Sequence, residues 1–222
     1  MNQQTLFEGV YLIKNHLATK NLVPGERVYG EELVQVDGVE YRWWNPYRSK
    51  IGAGIKNGLR EMPAKNGSTI LYLGSAEGTT ISHLSDIVGE KGLIFGADIN
   101  AKVMQKFIYL CEKRKNLVPI LADANKPETY KEHLGKMKVD FLFQDISQKN
   151  QAEIFVRNAK QYLKRQGQAM ISIKARSINS TKPFKKIVEE ESAKLKQLFQ
   201  IKQTINLAPF QTDHALVVCE RK

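Results

Sequence analysis

Cysteine is nearly missing from this chain. Two of its 222 residues, Cys111 and Cys219, are cysteine. They form no Cys-x-x-Cys and have no histidine cluster beside them, which argues against a disulfide framework or zinc site and for a reducing compartment. The four histidines, His16, His83, His133 and His214, are scattered. No group has the spacing of metal ligands, so metal dependence is not expected. No apolar run approaches the roughly 20 residues of a bilayer-crossing helix. The opening residues lack the basic and apolar regions of a signal peptide. Internal repeats, low-complexity segments and a Gly/Arg-rich tract are also lacking.

Acidic residues are in deficit. Lysine and arginine number 34 against 23 aspartates and glutamates, a net charge of +11. Such a surplus fits a polyanion, because each phosphate that is neutralised releases counterions. With no basic tail to carry it, the charge must be displayed on a folded surface. The hydrophobic content of 42% and charged content of 26% are ordinary for a soluble globular protein.

Residues 1–55 read as a small β-rich domain. Val10-Tyr11-Leu12-Ile13 is a short apolar run, and two further runs flank Asp37-Gly38, a pair suited to the positive φ angles of a type I′ hairpin. Trp43-Trp44-Asn45-Pro46-Tyr47-Arg48-Ser49-Lys50 interleaves aromatics with cations. The two tryptophans are expected in the core of this small domain. Arg48 and Lys50, with Arg176 further on, are the candidates for RNA contact.

Residues 56–222 alternate strand-like and helix-like segments. The helices are expected over 49–60, 79–88, 101–114, 151–163 and 183–199, and the alternation implies βαβ units with a parallel sheet. Val103, Met104, Phe107, Ile108 and Cys111 recur at helical spacing and read as a core stripe. Near the end, strand-like segments at 201–207 and 215–218 are too close for a crossover helix, so they should form a hairpin with one strand antiparallel to the sheet.

Five of the strand-like segments end on residues capable of chemistry. Ile70-Leu71-Tyr72-Leu73 runs into Gly74, and Leu93-Ile94-Phe95-Gly96-Ala97 into Asp98. The next three lead to Asp123, Asp145 and Lys174. In an open parallel sheet ligands bind at the carboxyl ends of the strands, so these groups should meet in one crevice. The loop Gly74-Ser75-Ala76-Glu77-Gly78-Thr79-Thr80 opens a helix. It has neither dinucleotide-enzyme nor P-loop spacing, and Glu77 would repel a pyrophosphate. Gly74 permits a tight turn, and Gly78 a close backbone approach to a ligand. Asp98, about twenty residues beyond, is placed for ribose hydroxyls, and Asp123 for an adenine amino group. Loop and acids together point to an adenosine cofactor without phosphates, for which S-adenosylmethionine is the natural candidate.

If the last strand, preceded by Asp213-His214, runs antiparallel, His214 joins Asp145 and Lys174 at that edge. Beside a sulfonium methyl donor, a lysine can stabilise the alkoxide that develops on an acceptor hydroxyl or accept its proton. A carboxylate between lysine and donor would orient both. His16, His83 and His133 gain no such placement and read as structural or exposed.

These residues resemble the fibrillarin family, the archaeal-type RNA 2′-O-methyltransferases. The resemblance rests on Arg27-Val28-Tyr29-Gly30-Glu31, on the run from Tyr41 to Lys50, on Leu71-Tyr72-Leu73-Gly74 with Gly78-Thr79-Thr80, and on Ile81-Ser82-His83-Leu84-Ser85-Asp86. Asp123-Ala124, Asp145-Ile146-Ser147-Gln148, Ser172-Ile173-Lys174-Ala175 and Asp213-His214-Ala215 complete it. It implies a class I methyltransferase α/β fold: a Rossmann-like seven-stranded sheet with an antiparallel last strand, plus a small N-terminal β domain. It implies S-adenosylmethionine held by Gly74, Ser75, Ala76, Gly78, Thr79, Thr80, Asp98, Ile99, Asp123, Ala124, Asp145 and Gln148, with catalysis by Asp145, Lys174, Asp213 and His214. It also implies C/D guide RNA and target RNA, a Nop-family scaffold and a kink-turn-binding ribosomal-type protein as partners, with no membrane. Glu77 stands where a small residue is usual, Asp98 where glutamate is, and Ser147 where alanine is. A non-catalytic RNA-binding subunit and a small-molecule O-methyltransferase are the alternative readings.

Overall fold

The computed structural model describes residues 3–222. The chain begins with five short antiparallel strands, β1 (Gln3–Phe7), β2 (Val10–Ile13), β3 (His16–Lys20), β4 (Leu33–Val36) and β5 (Val39–Trp43), in the order β1-β2-β3-β5-β4. The Asp37-Gly38 hairpin forms as expected, with φ of 50° and 78° and Val36 paired to Val39. Lys14-Asn15 makes a second positive-φ turn, joining β2 to β3. That turn is hard to see in sequence because lysine carries no turn signal.

The large sheet contains β6 (Thr69–Leu73), β7 (Leu93–Asp98), β8 (Leu117–Leu121), β9 (Val139–Gln144), β10 (Leu163–Lys174), β11 (Phe199–Asn206) and β12 (His214–Arg221), ordered β11-β12-β10-β9-β6-β7-β8. The pairings among β6, β7, β8, β9 and β10 are parallel, and β12 is antiparallel to both its neighbours. The helices are α1 (Lys50–Lys56), α2 (Thr79–Val88), α3 (Ala101–Lys113), α4 (Lys131–Leu134), α5 (Gln151–Tyr162), α6 (Ala175–Ile178) and α7 (Phe184–Leu195). None is long and apolar enough to cross a membrane.

Strand alternation divides the core into two layers. Leu71, Leu142, Ile171 and Val217 pack with Phe155 of α5 and Ile187 of α7. Tyr72, Phe143, Met170 and Leu216 pack on the other face with Ile51 of α1 and Ile81 of α2. Two expectations need correction. Trp44 is 1% exposed and belongs to this second layer, stacked on His83 at 4.8 Å, rather than to the core of the small sheet. In α3 only Met104 and Phe107 of the expected stripe are buried, while Ile108 is exposed. The stripe is narrower because Val103 faces the crevice described below.

A buried ionic network fastens the small sheet to α2 and α3. Asp86 accepts from Arg42 Nη1 at 2.9 Å, Arg114 Nη1 at 2.6 Å, Thr19 Oγ1 at 2.7 Å and the Leu22 amide at 3.0 Å. Arg42 also donates to Glu31 at 2.6 Å. His83 bridges Thr19 and Tyr29 in the same block. Burial, with Arg42 and Arg114 nearby, pushes its imidazole well below the ordinary histidine value. It is a neutral structural residue, as expected. Two arginines and two carboxylates thus balance in a dry interior, where an unpaired charge would be costly.

Candidate active site

The crevice is built from strand ends. Gly74 follows β6 with φ of +82°, and a Cβ there would stand 2.7 Å from the Asp145 carbonyl oxygen. Glycine therefore lets the β6–α2 loop pass against the end of β9, where the Asp145 amide donates to Leu73 O at 2.9 Å. Gly78 has a different reason. Its φ is +107°, and a Cβ would meet the Leu110 side chain at 2.4 Å, so it serves the packing of α2 against α3 rather than approach to a ligand.

A crevice of about 400 Å³ opens beside this loop. Gly74, Ala76, Asp98, Ile99, Ala124, Asp145, Gln148 and Lys174 all line it, as do Asn100, Val103 and Ser147. Ser75 is buried beneath the loop, and Thr80 is also buried, donating to Ser49 Oγ at 3.1 Å. Thr79 faces a separate groove on the α3 side with Lys106 and Tyr109. The Glu77 side chain pairs with Lys106 at 2.6 Å, which neutralises it. Asp123 is held one layer back. Its Oδ1 accepts from the amide and side chain of Asn125, and Asn125 in turn donates to Gln148 Oε1 at 2.7 Å. Asn125 escaped the sequence reading because nothing in the chain announces that it ties two strand ends together.

Asp98 is fixed by two backbone donors, Ala76 N at 3.1 Å to Oδ2 and Asn100 N at 2.9 Å to Oδ1. Beside it Ile99 is 61% exposed, a large apolar side chain left open at the mouth. The lining acids are Asp98 and Asp145, and Lys174 is the one lysine or arginine. Such a lining suits a cationic nucleoside with an apolar base face and repels polyphosphates.

Asp145 and Lys174 line the crevice, and Lys50 and His214 stand beside them without lining it. Lys174 closes β10 and pairs in register with His214, the first residue of β12. The antiparallel strand thus delivers its histidine to the edge where the parallel strands end. Lys174 Nζ donates to the Asp145 carbonyl and to Ser147 Oγ, each at 3.0 Å. It also lies 3.0 Å from Asp145 Oδ1 as an ion pair, but Oδ1 itself is buried without an aligned hydrogen-bond donor. Lys50 Nζ approaches Asp145 Oδ2 at 3.9 Å. Lys50 was expected at an RNA surface, and here it stands beside Asp145. The contact joins residues 95 apart in sequence, with the intervening strands deciding their proximity. Ser147 stood out in sequence only as a departure from the family's usual alanine, with no sign of its contact with Lys174.

His214 Nδ1 lies 2.7 Å from Thr212 O. A carbonyl only accepts, so Nδ1 carries the proton and Nε2 is left as the ring's acceptor. Burial chiefly pushes its pKa below the ordinary value, with Lys50 and Lys174 adding to the effect, while Thr212 O and Asp145 oppose it. The unprotonated form therefore persists as pH falls through the ordinary histidine value near 6.5. We predict that the activity of this site holds through about pH 6.5 and declines only below it. A rate profile with its acid midpoint at or above that value would show that His214 is not held neutral.

Two other expected residues face each other at the rim. Arg176 Nε donates to Asp213 Oδ2 at 3.0 Å and its Nη1 to Ser180 O at 2.8 Å. Asp213 has φ of +58°, and its carbonyl accepts from the Ala175 amide at 3.1 Å. The pair staples α6 to the loop before β12. Arg48 donates to Tyr29 O at 3.1 Å with its guanidinium 4.9 Å over the Tyr29 ring, and the 3-10 turn that carries it, Pro46–Arg48, leads through Ser49 into α1.

Comparison with known proteins gives a consistent picture. The family model for fibrillarin matches residues 1–222. A fibrillarin-like rRNA/tRNA 2′-O-methyltransferase from Pyrococcus furiosus is 47% identical over 220 residues, covering 97% of this chain and 96% of that protein. The structure is similar to Aeropyrum pernix fibrillarin in complex with natively bound S-adenosyl-L-methionine, with a TM-score of 0.90, 41% identity and coverage of 99% and 98%. A fibrillarin/Nop5p complex contains a chain matching with a TM-score of 0.90 and 38% identity, covering 99% of this chain and all (100%) of that one.

Proposed function

Because this chain belongs to the fibrillarin family, we propose that it transfers a methyl group from S-adenosylmethionine to ribose 2′-hydroxyls of rRNA or tRNA, as the catalytic subunit of a guide-RNA particle. The observation that carries this reading is the ion pair of Asp145 and Lys174 in an acid-lined crevice, with Lys50 beside Asp145 and His214 in register with Lys174. The crevice fits the donor. Asp98, held by two backbone amides, is placed to accept from ribose hydroxyls, and Ile99 offers an apolar face to the base. Asp145 supplies negative charge where a sulfonium would sit. When bound, S-adenosylmethionine contributes a methyl group on a cationic sulfur.

This chain's own residues do the rest. Asp145 holds Lys174 through its carbonyl and carboxylate, so the ammonium has a fixed place in the crevice. Lys174 Nζ then meets the acceptor oxygen and stabilises the negative charge that grows as the hydroxyl loses its proton. Neutral His214 offers Nε2 as a proton acceptor in the same cluster. Holding acceptor and donor in line supplies much of the acceleration. The net charge of +11 supports an RNA partner over a small molecule. A Nop-family scaffold is supported by the fibrillarin/Nop5p complex, and a kink-turn-binding protein completes the proposed assembly.

The test is labelled methyl transfer to RNA in the reconstituted guide particle, followed by alkaline hydrolysis. Label is expected in alkali-resistant dinucleotides, since a 2′-O-methyl group blocks cleavage at the next phosphate. Label in mononucleotides would mean that a base accepts the methyl, and an assembled particle with no label would leave a structural subunit.

A further inference from the structure

Lys174 donates to a side-chain hydroxyl that lines the crevice. An ammonium has three protons to donate. In this site one goes to the Asp145 carbonyl and a second to Ser147 Oγ, both at 3.0 Å. Asp145 Oδ1 is equally close, yet it is buried and has no aligned donor. The lysine thus keeps its ion pair with the carboxylate while directing an aligned hydrogen bond to a neutral hydroxyl. Among the groups around Nζ, Ser147 is the exposed one, and it lines the crevice. Asp145 Oδ1 is sealed from solvent and cannot itself receive an incoming group.

We propose that Ser147 is a placeholder for the acceptor: its hydroxyl occupies, on Lys174, the position that the RNA 2′-hydroxyl takes over. This rests on the proposed RNA 2′-O-methyl transfer. Both groups are hydroxyls, and each can accept from the ammonium in the same way. A serine side chain swings between staggered rotamers at little cost, so it vacates when the ribose arrives. Ser147 is a positioning and selectivity residue, acting through Lys174. It keeps the ammonium from a mobile water or a stray anion, and the acceptor must compete with it. The cost of that competition falls on acceptor binding and so on KM for RNA.

The test is steady-state methyl transfer by the complete guide particle with Ser147→Ala and Ser147→Thr. With alanine the competing hydroxyl is gone, and KM for the RNA acceptor should fall about threefold to tenfold, the scale of one net hydrogen bond. Threonine keeps the hydroxyl and should keep KM near the wild-type value. Cofactor binding by each variant, measured by calorimetry, checks that the crevice is intact. A fall in kcat of tenfold or more for Ser147→Ala that threonine restores would overturn the proposal, because Ser147 would then serve the transition state. An unchanged KM would overturn it as well. Failure of the wild-type particle to methylate RNA is a separate outcome: it removes the functional reading on which the proposal rests.

Discussion

Lys174→Ala should abolish methyl transfer while S-adenosylmethionine still binds. The expected loss is about a thousandfold, the scale on which a positioned proton-transfer or charge-stabilising group acts. The physical reason is location. Lys174 Nζ lies in the crevice between the Asp145 carboxylate and carbonyl, where its side chain is 16% exposed and the surroundings screen charge poorly. The groups assigned to the nucleoside, Asp98 and Ile99, are on β7 and the turn after it, and the substitution leaves them untouched. Lys174→Arg should not restore turnover, since a planar guanidinium cannot reproduce the three-donor geometry of the ammonium. Single-turnover transfer in the guide particle and cofactor titration of the isolated protein measure the two effects. Wild-type transfer by Lys174→Ala would remove the lysine from the chemistry, and a matching collapse of cofactor binding would show that it is a structural element of the crevice.

The second large effect is on stability. Asp86→Ala should cost about 3–5 kcal/mol, because it leaves Arg42 and Arg114 buried without their shared counter-charge. Both guanidinium groups are essentially inaccessible, at 0% and 1% side-chain exposure, so water cannot replace the carboxylate. The substitution also removes one of Thr19's two side-chain partners and the acceptor of the Leu22 amide, contacts that tie the small sheet to α2. Against a typical total of about 5–15 kcal/mol this is a large fraction of the fold's stability. At roughly 2–4 °C per kcal/mol for a domain of this size, the midpoint should drop by about 6–20 °C. Thermal unfolding followed by circular dichroism decides it. A shift of under about 2 °C would mean that the arginines find other partners or that water enters the block.

Local patterns in the sequence carried the architecture a long way. Strand-helix alternation from β6 onward specified a parallel sheet, since each apolar strand followed by a helix has only the right-handed crossover available. The short connection between β11 and β12 forced an antiparallel hairpin, because seven residues cannot cross a sheet. Topology then placed Asp98, Asp145, Lys174 and His214 at one edge, as the strand ends are where side chains escape the packed layers. Asp37-Gly38 announced its hairpin through backbone sterics alone.

Other features depended on side chains meeting across long sequence separations, which local patterns do not encode. Lys50 precedes the large sheet by many residues, and only the docking of α1 beside β12 turns it toward Asp145. Gly78 looked like a ligand-facing glycine, yet the packing of Leu110 from α3 explains it. Trp44 belongs to the large sheet's core because His83 offers it a face. Asp213, expected among the catalytic residues, and Arg176, expected at RNA, pair with each other at the rim. The sequence by itself determined which chemical groups are present and which edge of the sheet they reach, because strand direction and alternation are local properties. Which of those groups touch was decided by the tertiary structure, because contact at 3 Å depends on how separate helices and loops pack.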